Sequence, residues 1–360
     1  MKTLKTIYAE DLEDIAIGGA ILGTGGGGDP YVGKLMAQQA ILKHGPVHLI
    51  SVEELPDDAL VVPVCMMGAP TVMTEKLPQG DELINAFRQL EQLLGRKIDA
   101  VLCGEAGGVN STTPFVVAAA AGLPLIDGDG MGRAYPELQM VTFTMHGVSA
   151  TPMVLCDDKG NSLVLQTVSN PWTERLAATV EMGGSALLAF YPMSGEVAKK
   201  AVVRGTLSLC AKLGLTLREA RANHGNPVEA VAETLEAVTL FHGRVTDVDR
   251  RRVGGFARGT ATFSGVEEFK GHTFKLDFQN EFLMAALDDK IVCTTPDLIT
   301  LLDAESGTPV TADSLHYGLR LKALAFPCNP QWQTAAGIAL VGPRYFGYDA
   351  DYAPYFGAMV

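Results

Sequence analysis

Apolar positions recur at helical spacing at the start of the chain, then in unbroken runs separated by helical stretches, and finally in short alternating segments. In "AEDLEDIAIGGAI" (9–21), Leu12, Ile15, Ala16 and Ile17 fall on one face of a predicted helix. Val32, Leu35, Met36 and Leu42 form the face of a second helix. Asp29 opens it as N-cap, Pro30 is its first residue, and Gly45-Pro46 closes it. Between the two lies "LGTGGGGDP" (22–30), so four consecutive glycines join helix to helix. "VHLISV" (47–52), "ALVVPVCMMGAP" (59–70), "IDAVLCGEAGG" (98–108) and "LPLIDGDG" (123–130) read as strands, the second and third apolar enough for burial on both faces. Helices are predicted at 80–95, with Leu83, Phe87, Leu90 and Leu94 in register, and at 112–122. Strands alternating with helices predict parallel βαβ units and a three-layer, doubly wound α/β domain.

From residue 140 the pattern changes. "MVTFTMHGV" (140–148) reads as a strand, and "DDKGN" between the apolar runs of 151–168 predicts an antiparallel hairpin. A helix near 171–181, the strand "SALLAFYP" and helices from 195 to 240 follow. Beyond about 241, "FARGTATFSG", "HTFKLDFQNEFLMAAL" and "KIVCTTPDLITLLD" are short strands punctuated by Gly, Asp and Asn. They predict a small β-barrel or sandwich, dividing the chain into 1–240 and 241–360.

Composition narrows the function. Hydrophobic residues at 47% and charged residues at 19% provide a sizeable core. A net charge of -13 argues against nucleic acid or anionic membrane as partner. No apolar run reaches spanning length, and no signal-like apolar stretch follows Met1-Lys2-Thr3-Leu4-Lys5. Cysteines 65, 103, 156, 210, 293 and 328 show no CxxC spacing and read as reduced thiols, so a cytoplasmic location is expected.

The glycine loop invites a phosphate, but the dinucleotide fingerprint needs a strand before it, and here a helix precedes. Leu35 stands where a P-loop needs Ser or Thr, and Pro30 removes a backbone donor. A nucleotide is therefore not expected, and the loop, Gly25, Gly26 and Gly27 above all, is read as a thin wall against a ligand. Chemistry is expected beyond the carboxyl ends of the parallel strands, at "MMGAPTV" (66–72), "GEAGGVN" (104–110) and "DGDGMGR" (127–133). There Glu105, Asn110, Asp127, Asp129 and Arg133 converge, with Glu137 behind, as a site or as a structural network. Glu105, Asp127 and Asp129 are candidates for catalysis or for a divalent cation. Arg133 and Asn110 are candidates for holding substrate, or Arg133 pairs with Glu137. His146 stands alone on its predicted strand, and Cys65 and Cys103 near the strand ends are open as nucleophiles.

Taken together, "LGTGGGGDP", "MGAPTV", "GEAGGVN" and "DGDGMGRAYPELQM" resemble a bacterial family associated with S-methyl-thiohydantoin desulfurases, whose genes often lie beside or fused to hydantoinase/oxoprolinase-type proteins. The likeness runs over nearly the whole chain. It implies an α/β N-terminal and a β-rich C-terminal part, and a hydrolase that displaces a methylthio group with water from a hydantoin-like five-membered ring. A small cyclic amide or imidate is then the substrate, and a homo-oligomer or a hydantoinase-type partner is compatible with it. The alternatives are a non-catalytic ligand-binding or partner subunit of such a complex, and a nucleotide-dependent ring-opening enzyme.

Overall fold

The computed structural model describes residues 5–68, 78, 80–179, 185–253 and 256–354. The buried apolar runs assemble into one mixed sheet. Its order is Thr6–Ile7, Val47–Ile50, Leu125–Ile126, Ala100–Cys103, Leu60–Gly68, Ser185–Ala189, Met153–Cys156 and Ser162–Leu165, with Met193–Ser194 also paired to Leu60–Gly68. From Val47–Ile50 to Leu60–Gly68 the strands run parallel, as the βαβ alternation predicts. Beyond Leu60–Gly68 they are antiparallel, so the parallel βαβ units make up only part of a mixed sheet. The hairpin at "DDKGN" has a local cause. The Asp157 carboxylate accepts from Lys159 N, Asn161 N and Asn161 Nδ2 at 3.0, 2.7 and 2.7 Å, closing the turn. "MVTFTMHGV" is not a strand: Thr142–Met145 forms a single helical turn, and His146 Nε2 meets Gln331 Oε1 at 3.1 Å.

Helix Thr113–Ala121 packs on Leu60–Gly68 and Ala100–Cys103, and helix Pro30–His44 packs on it. Helix Asp81–Leu94 covers Met153–Cys156 and Ser185–Ala189 with Leu83, Phe87 and Leu90 fully buried. Helices Leu12–Leu22 and Thr206–Ala222 cross at backbone contact. A Cβ on Gly18 would lie 1.9 Å from the Cys210 carbonyl oxygen, and one on Gly214 would lie 2.1 Å from that of Asp14. No helix among the described residues is long and apolar enough to cross a membrane.

The second sheet is antiparallel and seven-stranded, in the order Lys290–Thr294, Glu281–Leu287, Thr273–Gln279, Phe256–Gly265, Val238–Val253, Arg320–Phe326, Leu298–Asp303. Its two outermost strands touch, so it curls into a half-barrel around Phe241, Phe263 and Phe274. The chain then returns to the first core. Trp332, fully buried, donates from Nε1 to Met131 O at 2.7 Å and meets Tyr135 edge-on. That contact braces the 130–135 turn from behind.

Candidate functional site

The carboxyl ends of Leu60–Gly68 and Ala100–Cys103 open on a cavity of about 100 Å³. Gly27, Gly28, Glu105, Asn110 and Glu137 line it, as do Cys65, Met66, Met67, Leu188 and Phe190. Residues 69–72 of the "MGAPTV" motif lie outside the described residues. The opposite wall comes from the second sheet, through Asn280 and Glu281 in the tight turn that pairs Gln279 with Glu281. The cavity is thus built from both parts of the chain.

The glycine loop makes this junction possible. Gly27 O accepts from Val109 N at 2.8 Å, and a Cβ on Gly27 would lie 2.7 Å from Gly107 Cα, so backbone passes directly over backbone. Gly25 and Gly26 do not line the cavity but face the second sheet. A Cβ on Gly25, whose φ is +90°, would strike the Phe282 ring at 2.5 Å, and one on Gly26 would strike Glu281 Oε1 at 1.9 Å. Thr24 O accepts from Phe282 N and Gly25 O accepts from Ala312 N, which pins the loop to that sheet. Beyond it Asp29 caps the next helix through Tyr31 N at 2.8 Å, with Pro30 at its first turn, as predicted.

These contacts separate the loop's roles. Gly26→Ala meets only the movable end of a side chain, so we expect a folded protein with a displaced Glu281 and weakened ligand binding. Gly27→Ala meets backbone at a positive φ (+77°) and is expected to lower Tm. Melting and ligand titration of the two variants check this, and equal effects on both readouts would refute it.

Of the predicted residues, Glu105 and Asn110 stand together. Asn110 Nδ2 donates to Glu105 Oε1 at 2.7 Å and to Met66 O at 3.0 Å, while its Oδ1 accepts from Met66 N at 2.7 Å. Asn110 therefore ties two strand ends together and holds the carboxylate, and is a positioning residue. Burial lifts the Glu105 carboxyl to about 7, Asp129 adding to the rise while Asn110 and the Tyr135 backbone oppose it. A carboxyl poised there exchanges a proton near neutrality.

Three other expectations are corrected. Asp127 is not in the cavity: its carboxylate caps helix Thr206–Ala222, accepting from Ser208 N at 3.0 Å and Ser208 Oγ at 2.6 Å. Asp129 is fully buried, outside the cavity wall, accepting from Ala106 N at 2.7 Å and Gly132 N at 2.9 Å. Burial lifts it to about 7 against those donors. Its role is to hold the 104–108 and 130–132 turns in place. Arg133 is fully buried as well and reaches neither the cavity nor Glu137; it donates to Thr24 Oγ1 and to the carbonyls of Ala134, Phe282, Pro296 and Asp297. Glu137 instead accepts from Gln139 and from Tyr345 Oη at 2.6 Å.

The metal candidates fare likewise: among the described residues Glu105, Asp127 and Asp129 do not come together as a ligand set. Cys65 lines the cavity and Cys103 is buried beside it. Burial pushes both thiols well above their ordinary range, which keeps them protonated and weakly nucleophilic at neutral pH.

Sequence reasoning missed Glu281. Its carboxyl is buried, and Oε2 is enclosed without a hydrogen-bond partner. Burial pushes it well above the ordinary carboxylate range; Glu105 and Asp313 add to the rise, and Arg133 opposes it. The available signal was a carboxylate directly before the apolar run 282–284, beside the turn in "FQNEFLM".

Two family models together span nearly the whole chain: "S-Me-THD-like, N-terminal domain" over residues 10–167 and "S-Me-THD-like, C-terminal domain" over 168–355. The fold is similar to the crystal structure of a protein from Chromobacterium violaceum, a structural genomics target, at TM-score 0.81 and 24% identity. That likeness covers 97% of this chain and 99% of the other. A comparison with curated proteins found no match.

Proposed function

The chain belongs to the S-Me-THD-like family, and from that premise we propose that it hydrolyses an S-methyl-thiohydantoin, or a related small cyclic imidate, to the ring carbonyl and methanethiol. The observation that carries this reading is Glu105, a carboxyl balanced near neutrality and aimed into a cavity of about 100 Å³. One water needs roughly 10–15 Å³ on this scale, so the cavity has room for a small ring compound and not only for a water. Met66, Met67, Leu188 and Phe190 supply a soft apolar wall for the methylthio group, since sulfur packs favourably on thioether and aromatic surface.

Glu105 then takes a proton from the attacking water as the new C–O bond forms. When the C–S bond breaks, the same proton goes to the departing methanethiolate. A base must be ionised to act, so the rate rises with pH through about 7.

Methanethiol release from S-methyl-thiohydantoins, followed with a thiol reagent with and without chelator, tests the reading. Turnover unaffected by chelator, with an acidic limb near 7, is the expected result. Hydantoin binding without turnover would instead favour a ligand-binding subunit of a hydantoinase-type complex.

A further inference from the structure

We propose that Glu281 is the second catalytic residue of this cavity, a carboxylic acid that protonates the ring nitrogen next to the attacked carbon. The inference rests on the thiohydantoin reading above and assigns the proton that reading leaves unplaced. Three observations support it. Glu281 lines the same cavity as Glu105 but from the other half of the chain. Its backbone is anchored: Phe282 N, next in sequence, bonds to Thr24 O at 2.7 Å, and the glycine loop leaves room for the carboxyl where it stands only because Gly26 has no Cβ. Its Oε2 is buried with no partner, an arrangement that disfavours a charge.

The groups acting on it leave the acid form in place. Glu105 and Asp313 are acidic; against burial stand only its own backbone N–H and Arg133, whose guanidinium is spent on backbone carbonyls and Thr24. Two carboxyls facing one cavity, one poised to lose its proton and the other held to keep it, divide the roles of base and acid.

The protons then balance. Water adds to the ring carbon; Glu105 takes one of its protons while the Glu281 proton passes to the ring nitrogen. The C–S bond breaks next, and methanethiolate takes the proton held by Glu105. The hydroxyl proton of the tetrahedral carbon returns to Glu281 as the carbonyl forms. Both carboxyls end as they began, and the products are the ring amide and methanethiol.

Glu281→Gln and Glu281→Leu, each confirmed folded by melting, test the assignment with two readouts: hydantoin binding and turnover. Gln keeps an uncharged donor of the same shape, so it is expected to bind hydantoin as the wild type does but to lose about 100-fold in kcat. Its kcat profile is expected to lose the alkaline limb that deprotonation of Glu281 gives the wild type, and to keep the acidic limb of Glu105. Leu is expected to lose a further tenfold or so in hydantoin binding, the worth of one hydrogen bond. Wild-type kcat in the Gln variant, or an alkaline limb that persists in it, would overturn the proposal. If the wild type binds hydantoin but releases no methanethiol, the thiohydantoin reading fails by itself. The binding contrast between the two variants then decides whether Glu281 is a ligand donor at all.

Discussion

Glu105→Gln is expected to lower turnover by about 10²- to 10⁴-fold and, at the same time, to make the protein more stable at pH 8. The first effect follows from removing the base. The amide keeps the carboxylate's shape and still accepts from Asn110 Nδ2, so the cavity persists without the proton acceptor. The second follows from the raised pKa. The unfolded chain releases the Glu105 proton near 4.5, while the folded protein holds it to about 7. Between those values the native state binds more protons, so Glu105 removes stability as pH rises through that window, in total on the order of 3 kcal/mol. Above about 7 the loss is complete, and below 4.5 it is absent. Wild type and variant should therefore melt alike at pH 4 and diverge at pH 8, the variant higher. A variant that melts lower at pH 8 would mean that the ionised carboxylate is a structural acceptor and that burial does not penalise it.

What the sequence could carry depended on whether a residue's partners were near it in the chain. The buried strands at 60–68 and 100–103, the helix at 81–94 and the Asp29 cap are set by local periodicity and local hydrogen bonds, and they form where the sequence predicts them, the second strand shorter than its 98–108 run. Glu105 and Asn110, five residues apart at one strand end, were readable for the same reason. Asp127 and Arg133 were misplaced because their partners are remote. Ser208 lies 81 positions from Asp127, and Asp297 lies 164 from Arg133. A polar residue after a parallel strand is expected to face the crevice, yet here it serves the helix or sheet packed behind it. Glu281 was illegible for the converse reason: it belongs to a separate sheet that periodicity could not dock against the first. The antiparallel pairing of 185–189 with 60–68 was hidden too, since strand direction there depends on where 185–189 returns rather than on its composition.

Arg133→Met is expected to destabilise the folded protein by about 3–5 kcal/mol, and Arg133→Lys to rescue it only in part. The guanidinium joins three separate segments. Nη2 donates to Thr24 Oγ1 at 2.8 Å in the glycine loop and to Phe282 O at 3.1 Å in the second sheet. Nη1 donates to Pro296 O and Asp297 O at 3.1 and 2.9 Å, and Nε to Ala134 O at 3.1 Å. The plane of the group also lies over the Tyr135 ring, 4.6 Å from its centre. Methionine fills similar space but leaves these buried acceptors without donors, at roughly 1–3 kcal/mol for each one that finds no water. Lysine keeps the charge, yet its compact ammonium cannot reproduce a planar fork that reaches Thr24 and Asp297 together. The expected fall in Tm for Met is about 5 °C, with Lys between it and the wild type. Because Phe282 adjoins Glu281, ligand binding should weaken in step with the loss of stability rather than ahead of it. A Met variant that melts like the wild type but no longer binds hydantoin would make Arg133 a ligand contact and return it to the cavity.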